Sequence, residues 1–191
     1  MSSFPTRYLL TCAALGAAGG ILLIPANNVA AAVSATLPPL YAAIVGVWIL
    51  PVIAGLALLR RPGVGVLVAL LSSLVTVPFT PYGARSLITG VMIGVALELP
   101  FALARYRYWR PWLFFVAALI VGALYAGVSF NSLDLVTFPT GVQVAFVALL
   151  LASLVASGAL GLWLARAIER TGVVRGLARP AAPRDRSGSV A

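Results

Sequence analysis

The chain has 191 residues, of which 62% are hydrophobic and 9% charged, with a formal net charge of +9. A soluble domain carries about 25% charged residues, so this composition excludes a fold that covers its core with polar surface in water. All thirteen basic residues are Arg, and Lys and His are absent. That excludes an imidazole base or metal ligand, a lysine Schiff base, a Ser–Lys dyad and the lysine of a phosphate-binding P-loop. The single cysteine, Cys12, allows no internal disulfide.

A membrane span needs about 20 mainly apolar residues. In chain order, six segments meet that requirement: 8–24, 40–59, 63–79, 87–104, 112–130 and 142–165. Breaker residues separate them: Pro38-Pro39, Arg60-Arg61-Pro62, Pro81-Tyr82-Gly83, Arg110-Pro111 and Pro139-Thr140-Gly141. The expected fold is all-α, an integral membrane bundle of six transmembrane helices over residues 1–170. A basic cytoplasmic tail over 171–191 follows, its arginines suited to anionic headgroups. Twelve of the thirteen Arg fall at the N-terminus, in the second and fourth connections or in the tail, and only Arg85 lies on the other side. This asymmetry places both termini in the cytoplasm of a multi-pass protein of the cell membrane. It also accounts for the basic balance without nucleic acid as a partner. Arg7 and the apolar run before Ala30-Ala31-Ala32 imitate a cleavable leader, but a run of 17 residues favours a retained span.

The first span repeats small residues every four positions, Ala13/Ala17, Ala14/Ala18 and Cys12/Gly16/Gly20. Such spacing lets helix backbones approach closely, within the bundle or against another membrane subunit. A second stripe, Ser153/Ser157/Gly161, is expected to pack inside the bundle. The third span ends in Phe79-Thr80-Pro81-Tyr82-Gly83.

Glu98 is the only acid within a span. Eleven residues from the outer end of its helix, it is expected about 16 Å deep, where a carboxylate is costly and faces a cavity or a partner. Gly90 and Gly94 share its face and leave room for a ligand or a neighbouring helix. Further ligand-like residues cluster toward the outer side: Asn27 and Asn28 in the first outer connection, Phe79 and Tyr82, then Asn131, Asp134 and Gln143. Tyr41, Trp48 and Tyr125 add ring faces. Amides, aromatics and one carboxylate together suit a small, flat, nitrogen-bearing or cationic ligand.

Several of these segments, in order, resemble the substrate-binding membrane subunits, or S components, of energy-coupling factor (ECF) vitamin transporters, and within them the YkoE-type branch. The resemblance rests on Arg7-Tyr8-Leu9-Leu10-Thr11, Pro25-Ala26-Asn27, Pro38-Pro39-Leu40-Tyr41, Leu59-Arg60-Arg61-Pro62-Gly63, Phe79-Thr80-Pro81-Tyr82-Gly83 and Leu97-Glu98-Leu99-Pro100-Phe101. It implies a non-enzymatic subunit that captures thiamine or its hydroxymethylpyrimidine precursor. Such a subunit works with a transmembrane coupling (T) protein and two cytoplasmic ATPases. Through the resemblance, Ala13, Ala14, Gly16, Ala17 and Ala18 become the docking face for the coupling protein. The better-studied thiamine-binding members use a loop tryptophan and a histidine; here the first loop has no Trp and the chain has no His.

The rival classes are weaker on the residues. An intramembrane aspartyl protease needs paired carboxylates, and serine chemistry needs a base that this composition lacks. A stand-alone permease, or a cobalt- or nickel-type component, would have few soft or imidazole ligands to offer, and no metal site or cofactor is expected. A scaffold without a ligand is the remaining reading.

Overall fold

The computed structural model describes residues 6–171, and the tail read at 171–191 lies almost wholly outside them. Seven helices account for the six expected spans: α1 (Thr6–Val33), α2 (Pro38–Val45), α3 (Leu50–Leu59), α4 (Val64–Thr76), α5 (Arg85–Leu103), α6 (Pro111–Ser132) and α7 (Thr140–Thr171). There is no strand among the described residues. Five spans are long and apolar enough to cross a membrane, with α2 and α3 forming one of them, and Val64–Phe79 is a shorter apolar helix. The structure therefore has the expected all-α membrane bundle, its third span shorter than the rest.

The second span is broken by a tight 3-10 turn over Gly46–Ile49. Pro51 lacks the N–H that a continuous helix would direct at the Val47 carbonyl. Ser153 on α7 occupies the break. Its Oγ accepts the Gly46 N–H at 3.0 Å and donates to the Ala43 carbonyl at 2.6 Å. A Cβ on Gly46 would overlap Ser153, so the close approach requires glycine there. Gly161, two turns further along α7, packs against Ile53 in the same manner. The stripe on this span thus packs inside the bundle, as expected.

Around the second span the other helices form a ring: α1 lies on α4, α4 on α5, α5 on α6, α6 on α7, and α7 on α2 and α3. Nine of the ten residues of α3 are buried. Ile49, Ile53, Leu56 and Leu59 meet Leu97, Phe101, Leu150 and Leu154 in the core. Outward-facing apolar side chains such as Ile21, Ile88, Leu124 and Leu160 are exposed, as lipid contact allows.

One boundary and one grouping of residues differ from the sequence reading. Helix α1 runs on to Val33 through Pro25, so the segment read as the first outer connection is mostly helix. Proline is tolerated in membrane helices because neighbours re-satisfy the freed backbone groups. The small residues of α1 also separate onto two faces. Ala13, Ala14, Ala17 and Ala18 are exposed, whereas Cys12, Gly16, Gly19 and Gly20 are buried. A Cβ on Gly16 would stand 2.5 Å from Leu71 Cβ, and one on Gly20 2.5 Å from Val75 Cβ. Gly16 therefore belongs to the α1–α4 contact and not to the outward face with the alanines.

Candidate functional site

On the arginine-poor side the bundle encloses a cavity of about 270 Å³ between α1, the second span, α4 and α5. The break at Gly46–Ile49 sets its aromatic wall. Tyr41 and Trp48 meet edge to face with ring centroids 6.2 Å apart. Tyr125 on α6 stands behind both, 5.6 Å from Trp48, with its hydroxyl hydrogen-bonded to that of Tyr41. From α1 comes Asn27, 6% exposed. Helix α4 turns a polar face inward with Ser72, Ser73 and Thr76, all buried. The mouth is formed by Tyr82 and by Arg85, Ser86 and Thr89 at the start of α5.

Three buried polar atoms in this wall have no hydrogen-bond partner among the described residues: Trp48 Nε1, Ser72 Oγ and the Tyr82 hydroxyl. Leaving such a group unpaired costs about 1–3 kcal/mol, and all three belong to residues that line this one cavity. Burial, and secondarily Tyr41, pushes the Tyr82 hydroxyl up to about 12, which keeps it protonated at neutral pH. The only charged side chain in the lining is Arg85.

Of the residues singled out from sequence, the cavity gathers Asn27, Tyr41, Trp48 and Tyr82. Tyr125 supports Tyr41 from the neighbouring groove between α5 and α6. The others lie outside the lining. Asn28 is exposed and bridges α1 to the end of the third span, donating to Ile24 O at 2.9 Å and Phe79 O at 3.1 Å. Phe79 is 60% exposed. Asn131 and Asp134 are exposed at the end of α6, and Gln143 donates to Phe138 O at 2.9 Å.

Glu98 is also elsewhere. It is buried, five residues before the end of α5, on the arginine-rich side of the cavity. Its carboxylate accepts the Gly63 N–H, the Val66 N–H at 3.2 Å and the Tyr106 hydroxyl at 3.0 Å. Gly63, at φ +83°, turns the chain into α4, so Glu98 serves as a remote cap for that helix's N-terminus. Burial, and then Glu98 itself, pushes Tyr106 up to about 12. Gly90 and Gly94 give room to α4, since a Cβ on Gly94 would come within 2.9 Å of Ala69 Cβ. Helix α4 fills the space beside Gly94, whereas Gly90 both meets α4 and lines the cavity.

Sequence reasoning missed Ser72, Ser73 and Thr76. Their signal was a polar i, i+4 pair, Ser72 and Thr76, in an otherwise apolar span. It also counted Arg85 only as the exception to the charge asymmetry.

The spans mark a multi-pass membrane protein with a polar-lined cavity on its arginine-poor side. Residues 7–125 match the family described as "ABC-type cobalt transport system, permease component", and the chain belongs to that family. A crystal structure of "an S-component of ECF transporter" superposes with a TM-score of 0.82 at 17% identity, covering 92% of this chain and 91% of that one. At that identity the likeness establishes a shared fold. No curated protein matches the sequence.

Proposed function

We propose that the protein is the substrate-capture subunit of an ATP-driven, ECF-type importer in the cell membrane. The observation that carries this reading is the outer cavity, with three unpartnered buried polar atoms in one aromatic-walled chamber. The S-component fold supports it independently. Tyr41 and Trp48 suit a flat ring, and Asn27, Ser72 and Tyr82 suit ring nitrogens and an amino group. Within the thiamine and hydroxymethylpyrimidine pair, the cavity disfavours the thiazolium cation, because no carboxylate lines it to pair with that charge. The transmembrane coupling protein is assigned to the exposed alanine face of α1, Ala13, Ala14, Ala17 and Ala18. Two cytoplasmic ATPases complete the assembly, since without lysine this chain has no P-loop of its own.

The family description favours a second reading, in which cobalt is the cargo. The cavity supports it poorly. Its lining has no carboxylate, imidazole or thiol, and no three of His, Cys, Asp and Glu come together among the described residues. Arg85 would also repel a dication there. Affinity purification from native membranes separates the readings. Co-purification of a coupling protein and ATPases with an extractable organic ligand is the expected result. A protein that isolates alone, or one that binds cobalt in calorimetry but no organic compound, overturns the proposal.

A further inference from the structure

Whatever occupies the outer cavity must answer the groups that line it, and those groups are biased toward donors. Trp48 Nε1 can only donate, and so can the Arg85 guanidinium. Ser72 and Tyr82 hydroxyls are free to donate. Arg85 has no ion-pair partner among the described residues; the one ion pair there, Arg60 with Glu169 at 3.6 Å, is on the opposite side of the bundle. The acids Glu98, Asp134 and Glu169 are all absent from the lining. Arg85 is also the first residue of α5, where the helix dipole is positive and a cation is disfavoured. The two positive fields therefore add at the cavity mouth and nothing in the lining cancels them.

We infer that the ligand is a flat, ring-bearing oxyanion, a carboxylate or a phosphate monoester, with its acid group on Arg85 at the mouth. Its ring lies inward against Tyr41 and Trp48, presenting acceptors to Trp48 Nε1, Ser72 Oγ and the Tyr82 hydroxyl. Such a guest supplies the missing partners of all three unsatisfied groups and the missing counter-charge at once. Arg85 is exposed at the mouth, so a neutral ring would leave its charge to water, an anion would gain from it, and a cation would meet its repulsion. This inference deepens the capture-subunit reading and rests on it for the identity of the site.

The test uses the full chain in lipid nanodiscs and calorimetry with matched pairs. Hydroxymethylpyrimidine is compared with its phosphate monoester and with the corresponding 5-carboxylate, and nicotinamide with nicotinate. In at least one pair the acid is expected to bind about tenfold to a hundredfold tighter than its neutral partner, the range for a hydrogen-bonded charge. Arg85→Gln brings the acid and its neutral partner to within about threefold of each other, and Arg85→Lys retains part of the difference. The phosphate and carboxylate arms tell the two acids apart. Equal affinity for acid and neutral partner, or an equal loss of both in Arg85→Gln, overturns the inference. If no compound in these pairs binds, mass spectrometry of material released from natively purified protein decides. An anion present in the wild type and missing from Arg85→Gln supports the inference; a neutral or cationic compound, or an empty protein, refutes it. The capture-subunit reading fails separately, when no ATPase or coupling protein co-purifies although an anion is bound.

Discussion

Glu98→Gln separates a structural carboxylate from a ligand-binding one. Glu98 is 5% exposed and meets three donors, the Gly63 and Val66 amides and the Tyr106 hydroxyl. Glutamine keeps one carbonyl oxygen, which can continue to accept from Gly63 and Tyr106. Its NH₂ group replaces the oxygen facing Val66, so two donors confront each other. A buried donor left without an acceptor costs about 1–3 kcal/mol. Loss of the anion at the N-terminus of α4 adds about 0.3–1 kcal/mol. The expected destabilisation is therefore about 1–4 kcal/mol. At about 2–4 °C per kcal/mol for a chain of this size, Tm falls by about 3–16 °C.

The assay is thermal unfolding in nanodiscs beside ligand calorimetry on the same preparation. The affinity of the bound compound should stay within about twofold of the wild type, because the cavity lining stops at Ile93 on α5, five residues before Glu98. At 1.5 Å per residue that separation is about 7–8 Å along the helix. An unchanged Tm together with a tenfold loss of affinity would refute the reasoning and return Glu98 to the ligand site.

Four further perturbations probe other parts of the structure. Trp48→Phe keeps a ring but deletes the unpartnered Nε1–H; calorimetry should show a severalfold weaker ligand with little change in Tm. Ser153→Ala leaves the Gly46 N–H without its acceptor and should lower stability by about 1–3 kcal/mol, read by thermal unfolding. Substitutions on α1 should divide by face: Gly16→Leu drives a side chain into Leu71 and destabilises the fold, whereas Ala17→Leu leaves Tm intact and abolishes recovery of the coupling protein in pull-downs. Tyr106 has its pKa raised in the folded state, so its contribution is complete below the ordinary tyrosine value near 10 and is lost as pH rises through about 12. Wild-type Tm should therefore stay level from pH 7 to 9 and drop between 10 and 12, and Tyr106→Phe should flatten that drop.

The spans were legible because the requirement is one-dimensional: each crossing consumes about 20 apolar residues, and charges mark where it ends. The run of α1 past Pro25 was hidden, since proline breaks helices in water more reliably than in lipid. The aromatic wall was legible too: Tyr41 and Trp48 lie seven residues apart in one span, where a helix brings them to the same side, and Tyr125 was the remaining ring. The polar wall was not, because a serine in a membrane helix can also satisfy itself on its own backbone, as the Thr76 hydroxyl does on Ser73 O at 2.8 Å. Only the packed structure distinguishes that arrangement from Ser72, whose hydroxyl finds no partner.

Glu98 shows what depth along a helix leaves undetermined. Its rarity and approximate depth were readable, but its partners come from two connections, Gly63 before α4 and Tyr106 after α5, that fold back into the bundle. A carboxylate that satisfies three such donors ties the ends of two helices together and has little acceptor capacity left for a guest. Arg85 is the converse case. As a lone cation on the arginine-poor side it has no topological purpose and, at the start of a helix, an unfavourable dipole. It stands exposed at the cavity mouth, where the proposed oxyanion would take up its charge.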